Sequence, residues 1–221
     1  MHPFPATTLS KKILEKAQSL TTPMILSKTG YNHNMPKAVV YAPASHGRLG
    51  FHHIHIKQGL QKVLQILKHI HMKTTLGDTI TIAIKAHQIH AGVAFPILEY
   101  TKPIPWMTDW WLSNIHAFLH TIQGQIKLDS PWLIGPFQQN DTHLMISFQN
   151  AGYKTVELQT LNHCQLSLQV TMLAKIVDHT GQQLLPKALT NGKYLPTLTT
   201  VSKSNYFWPS QPIPSPQAWK F

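Results

Sequence analysis

The stretch IKQGLQKVLQILKHIH, residues Ile56–His71, decides the fold class. Ile56, Leu60, Val63, Leu64, Leu67 and Ile70 recur at the three- and four-residue steps that place side chains on one helical face. Lys57, Gln61, Lys62, Gln65 and Lys68 fall largely on another. The spacing predicts an amphipathic helix whose polar face carries three lysines and no acid, a surface suited to phosphate.

Upstream, Leu9, Ile13, Ala17 and Leu20 form a second helical stripe over Thr8–Leu20, with Lys11, Lys12, Glu15 and Gln18 off it. Pro23 interrupts that helix or marks its end. Ser27 to Pro36 is turn-rich, and Ala38–Tyr41, between Pro36 and Pro43, reads as a strand or a helical turn. His46 to Phe51 reads as a tight turn shaped by Gly47 and Gly50.

Downstream, Gly77-Asp78 is expected to stop the helix and cap another over about Thr79–Phe95, although Ile80, Ile82 and Ile84 also alternate as a strand does. Asp109 is expected to cap a helix to about Gln123, with Trp111, Ile115, Phe118, Leu119 and Ile122 inward and Gly124 as the stop. Asn140 or Asp141 caps a short helix through Phe148. Thr155 caps a longer one containing Leu158, Leu161, Cys164, Leu168 and Met172. Asn205 to Phe221 places four prolines among Phe207, Trp208 and Trp219, the composition of an extended arm. The fold class is mainly α: an irregular helical bundle plus a helical connector, with an extended Pro-rich C-terminal arm. The expected divisions are 1–75, 76–190 and 191–221.

Charge narrows the partners. The chain has 221 residues, 43% hydrophobic and only 12% charged, with a net charge of +11. Residues 1–75 hold nine Lys, Arg48 and one acid, Glu15, a net +9, whereas the remainder holds nine Lys and seven acids, a net +2. That asymmetry favours a polyanionic partner. Base-specific readout prefers the bidentate guanidinium, so a surface with a single Arg predicts binding without sequence preference.

Several chemistries lack their residues. Cys164 stands alone, which excludes an intrachain disulfide framework. Met1 to Ser10 has no apolar core and no run approaches a membrane span, so an intracellular protein without a membrane partner is expected, nuclear or cytoplasmic. The eight acids stand singly, whereas two-metal nucleotidyl transfer needs carboxylates gathered around Mg²⁺. No Gly-Lys-Ser or Gly-Lys-Thr phosphate loop is present, and Ser45-His46 and His163-Cys164 are sequence neighbours rather than a presented nucleophile and base. No enzyme activity and no cofactor is expected. Fifteen histidines include His87 with His90 and His116 with His120 at helical spacing, but no carboxylate stands at ligand spacing, so structural or surface roles are expected.

The run Leu26-Ser27-Lys28-Thr29-Gly30 … Met35-Pro36-Lys37-Ala38-Val39-Val40-Tyr41-Ala42-Pro43, then His46-Gly47-Arg48-Leu49-Gly50-Phe51 and Gln58-Gly59, resembles the segment just after the polymerase palm in reverse transcriptases of retrotransposons lacking long terminal repeats. The pattern there is Leu-Pro-Lys, turn residues, Pro-x-Ala with an apolar run ending in Tyr-x-Pro, then Gly-Gly-Leu-Gly. Ser27 replaces the Pro and Arg48 the second Gly. Ala91-Gly92 … Phe95-Pro96, Leu166-Ser167-Leu168-Gln169-Val170 … Asp178 … Gly181 and Trp208-Pro209 … Trp219 are similar to the continuation of such frames in protists, diatoms among them.

The resemblance implies a non-catalytic piece whose palm, with Tyr-x-Asp-Asp, would lie upstream. It further implies a thumb-like region over about Thr8–Met72 that grips a template-primer duplex or hybrid by its backbone. Lys57, Lys62 and Lys68 are the phosphate contacts this reading names, supported by Lys11, Lys12, Lys28, Lys37 and Arg48. Gly47 and Gly50 would shape the turn that presents the helix. Three other readings stand beside it: a protein-interaction scaffold using the tail and Trp110-Trp111, a decayed remnant, and a His-based metal-binding protein.

Overall fold

The computed structural model describes residues 9–93, 95–107, 111–129, 140–178, 180, 182–184, 208 and 214–218. Among these the protein is mainly helical: α1 (Lys11–Lys28), α2 (Lys37–Tyr41), α3 (Ile54–His71), α4 (Thr75–Ala91), α5 (Trp111–Thr121), α6 (Leu144–Asn150) and α7 (Thr155–Leu168), with two isolated antiparallel bridges and no strand. The chain forms two compact units, Met1–Gly77 with Asp109–Leu119, and Asp78–Thr108 with His120–Phe221.

In the first unit α1 packs on α3. The Ser10 hydroxyl caps α1 by accepting from the Ile13 N–H at 3.4 Å. Pro23 neither interrupts nor ends α1, which runs on to Lys28 with the proline inside it and one N–H missing from its ladder. α1 buries the face opposite to the one periodicity selects, and α3 buries the flank beside its predicted stripe. In α1 the buried residues are Leu14, Gln18 and Leu26, whereas Leu9, Ile13 (54% exposed), Ala17 and Leu20 (63%) face solvent. In α3 they are His55, Gln58, Gly59, Lys62 and Ile66, whereas of the predicted stripe Leu60, Leu64 (62%) and Leu67 are exposed and Ile56, Val63 and Ile70 are half-buried.

Backbone satisfaction explains the choice. The Gln18 amide accepts from the Ile54 N–H at 3.0 Å and donates to the His52 carbonyl at 3.4 Å, and Thr22 pairs with the Tyr41 hydroxyl at 2.9 Å. The loop entering α3 takes Gln18, and the end of α2 takes Thr22, from the same side of α1. On α3, Gly59 admits the Phe118 ring of α5: a Cβ there would lie 2.2 Å from Phe118 Cδ2.

Ala38–Tyr41 resolves as a helical turn within α2. A 3-10 turn over Ala44–His46 follows, and Gly47 (φ 68°) and Gly50 (φ 65°) both take the left-handed conformation. The Leu49, Gly50 and Phe51 N–H groups donate back to Val39, Ala42 and Val40. Arg48, between the two glycines, is not among the positive-φ residues, so an L side chain fits there.

The α3–α4 junction corrects another expectation. Gly77 and Asp78 lie inside α4, not before it, because the Thr74 hydroxyl caps the helix by accepting from the Gly77 N–H at 3.1 Å. Asp78 instead complements the helix dipole in the first turn.

The second unit has its own core, including Ile84, Ile97, Trp106, Met145, Leu158 and Met172. α4 ends at Gly92 (φ 68°), and the buried Trp106 indole donates to the Ala91 carbonyl at 2.9 Å. Past α5, Gln123 rather than Gly124 takes the left-handed position, φ 53°. α6 is preceded by His143, not capped by Asn140 or Asp141; the Asp141 carboxylate accepts from the Thr142 and Ala174 N–H groups instead. α7 starts at Thr155, with Lys154 rather than Thr155 in the capping position and the Glu157 carboxylate accepting from the Lys154 N–H at 2.7 Å. Asp109, Trp110 and most of the C-terminal arm lie outside the described residues. Within that arm Pro214 is buried, and the Cys164 thiol donates to the Ala218 carbonyl at 3.6 Å.

Candidate nucleic-acid interface

Over residues 9–77 nine cations are exposed: Lys11, Lys12, Lys16, Lys28, Lys37, Arg48, Lys57, Lys68 and Lys73. Over the same residues one acid is exposed, Glu15, whose carboxylate lies 3.8 Å from the Lys11 ammonium. Lys57 and Lys68 stand eleven residues apart on α3, three helical turns or about 16 Å along its axis. Both border the exposed Leu60, Leu64 and Leu67, so on this helix the lysines and leucines share the solvent face.

Lys62 does not belong to this surface. It is fully buried, 0% exposed, and its ammonium donates to Asn114 Oδ1 at 2.8 Å. Desolvation lowers its pKa from 10.5 to about 8. Facing α5 from the Gly59 side of α3, it cannot reach a phosphate, which corrects its place among the three helix contacts. Lys57 and Lys68 keep the accessibility the reading requires. Lys11, Lys12 and Lys28 lie along α1, Lys37 opens α2, and Arg48 sits on the glycine turn. The structure brings Gly47 and Gly50 together in that turn.

One feature of this unit escapes sequence reading. An open cleft of about 560 Å³ lies between α1, α2 and the entry to α3, lined by Glu15, Lys16, Gln18, Lys37, Tyr41 and His53 among others. The rings of Tyr41 and His53 stand 5.6 Å apart at 52°. The Tyr41 hydroxyl is held by Thr22, and Gln18 is occupied by the loop backbone. These residues are scattered from position 15 to position 53, so no local motif announces them. Gln18 off the apolar stripe of α1 is the single available signal.

His87 and His116 are buried, His120 Nδ1 lies 2.7 Å from the Thr101 carbonyl, and among the described residues no three His, Cys, Asp or Glu come together as a metal-holding group. Burial pushes the Cys164 thiol up to about 11, which keeps it protonated at neutral pH. Among the described residues no helix is long and apolar enough to cross a membrane. Comparison of the chain with protein-family models, with curated proteins and with solved structures finds no match.

Proposed function

We propose that the first unit binds nucleic-acid backbones without sequence preference, and that the chain is a non-catalytic relative of the post-palm region of retrotransposon reverse transcriptases. The observation that carries this reading is the ratio of nine exposed cations to one exposed acid over residues 9–77. Lysines dominate that surface, and a lysine ammonium meets phosphate as a point charge rather than reading a base edge. The partner is a duplex or hybrid held by its phosphates, and Lys57 and Lys68 are its contacts on α3. The resemblance supplies the kind of nucleic acid, a template-primer pair.

The test is a titration of full-length protein against duplexes and hybrids of unrelated sequence between about 50 and 200 mM salt. Affinity falls steeply and equally for all of them. The double variant Lys57→Gln, Lys68→Gln lowers the slope of log affinity against log salt by about 2, whereas Lys62→Gln leaves affinity and slope unchanged. Affinity independent of salt rejects the proposal. A salt-independent result leaves the second reading, a protein-interaction scaffold using the Pro/Trp-rich tail and Trp110-Trp111, to which the exposed leucines of α1 and α3 add apolar surface.

A further inference from the structure

Three features separate the α1–α2 cleft from a merely basic surface. It is a solvent-open depression of about 560 Å³ with a mainly polar lining, so a charged ligand suits it better than an apolar one. Its cations come from two elements, Lys16 on α1 and Lys37 at the start of α2, and its single acid, Glu15, already has Lys11 at 3.8 Å. Its wall carries an aromatic ring held in place: Tyr41 is half-buried, its hydroxyl is tied to Thr22 at 2.9 Å, and its ring lies against His53.

We propose that this cleft receives one unpaired nucleotide, its phosphate between Lys16 and Lys37 and its base on the Tyr41 ring. The inference rests on the nucleic-acid reading above and adds what exposed lysines do not supply, a preference for unpaired bases. A base inside a duplex has both faces occupied by its neighbours, whereas an unpaired base offers a free face. Stacking on an aromatic side chain tolerates every base, so the cleft adds affinity without sequence choice. An already immobilised ring loses little freedom when the base arrives.

The test uses the full chain and two labelled nucleic acids with equal numbers of phosphates, one a blunt duplex and the other a shorter duplex with a three-nucleotide single-stranded overhang. Fluorescence anisotropy gives about tenfold tighter binding of the overhang substrate. Tyr41→Leu removes that difference and leaves the blunt duplex unaffected, whereas Tyr41→Phe, which keeps the ring and loses its tie to Thr22, retains most of it. Equal binding of both substrates by the unsubstituted protein overturns the cleft assignment while backbone binding stands. Binding of neither overturns the reading on which it rests. Should Tyr41→Leu fail to fold, photocrosslinking of a 5-bromouracil overhang to the unsubstituted protein decides: crosslinks at Tyr41 or His53 support the cleft, and crosslinks confined elsewhere reject it.

Discussion

Lys62 brings an ammonium group into the interior of the first unit, where Asn114 supplies its hydrogen-bond acceptor and, among the described residues, no carboxylate lies within ion-pair distance. Burial disfavours the charged form, so the folded pKa of about 8 lies below the unfolded 10.5. Between those two values the unfolded chain binds more protons than the folded one. Unfolding free energy therefore rises with pH from about 8 to about 10.5, and below pH 8 the full desolvation penalty remains. Lys62→Met is expected to flatten that rise and to stabilise the protein at pH 7 by about 1 kcal/mol. Denaturant midpoints measured across pH for both proteins check this, and parallel curves would contradict it. The same burial removes Lys62 from any phosphate surface, and its spacing agrees: five residues from Lys57 and six from Lys68 are not the three- and four-residue steps of one helical face.

At the scale of elements, substitutions on α3 distinguish its two faces. Ile66→Ala empties a fully buried site and is expected to destabilise by about 2–5 kcal/mol, whereas Leu64→Gln on the exposed face stays within about 0.5 kcal/mol. Gly59→Ala drives a methyl into the Phe118 ring and is expected to destabilise by about 1–3 kcal/mol. Equal losses at Leu64 and Ile66 in chemical denaturation would reverse the assigned orientation. The existence of α1 and α3 was legible because apolar residues recur at helical spacing and no competing period is present. The orientation of α1 was not, since Leu14, Gln18, Thr22 and Leu26 form a second stripe at four-residue spacing. Gln18 and Thr22 face inward because distant backbone and a distant hydroxyl need partners, and no local pattern reports a distant need. Thr74 as the α4 cap has a similar cause: its hydroxyl is held by His69 at the end of α3, 3.0 Å from the ring Nδ1, while it accepts from the Gly77 N–H.

Over the whole molecule, positive charge is concentrated in the first unit, and that asymmetry was readable from composition by position alone. Of the eight cations the sequence assigned to phosphate, seven are exposed and Lys62 is not. The cleft was invisible because it forms only when residues near positions 16, 37, 41 and 53 meet through the packing of α1 against the loop before α3. Lysine acetylation footprinting, read by mass spectrometry with and without a saturating duplex, tests the binding surface most directly. Protection is expected at Lys11, Lys12, Lys37, Lys57 and Lys68, with Lys62 unreactive in both states and Lys85, Lys102, Lys127 and Lys154 of the second unit equally modified in both. Protection spread evenly over both units, or confined to the second, would contradict a nucleic-acid surface built on the first.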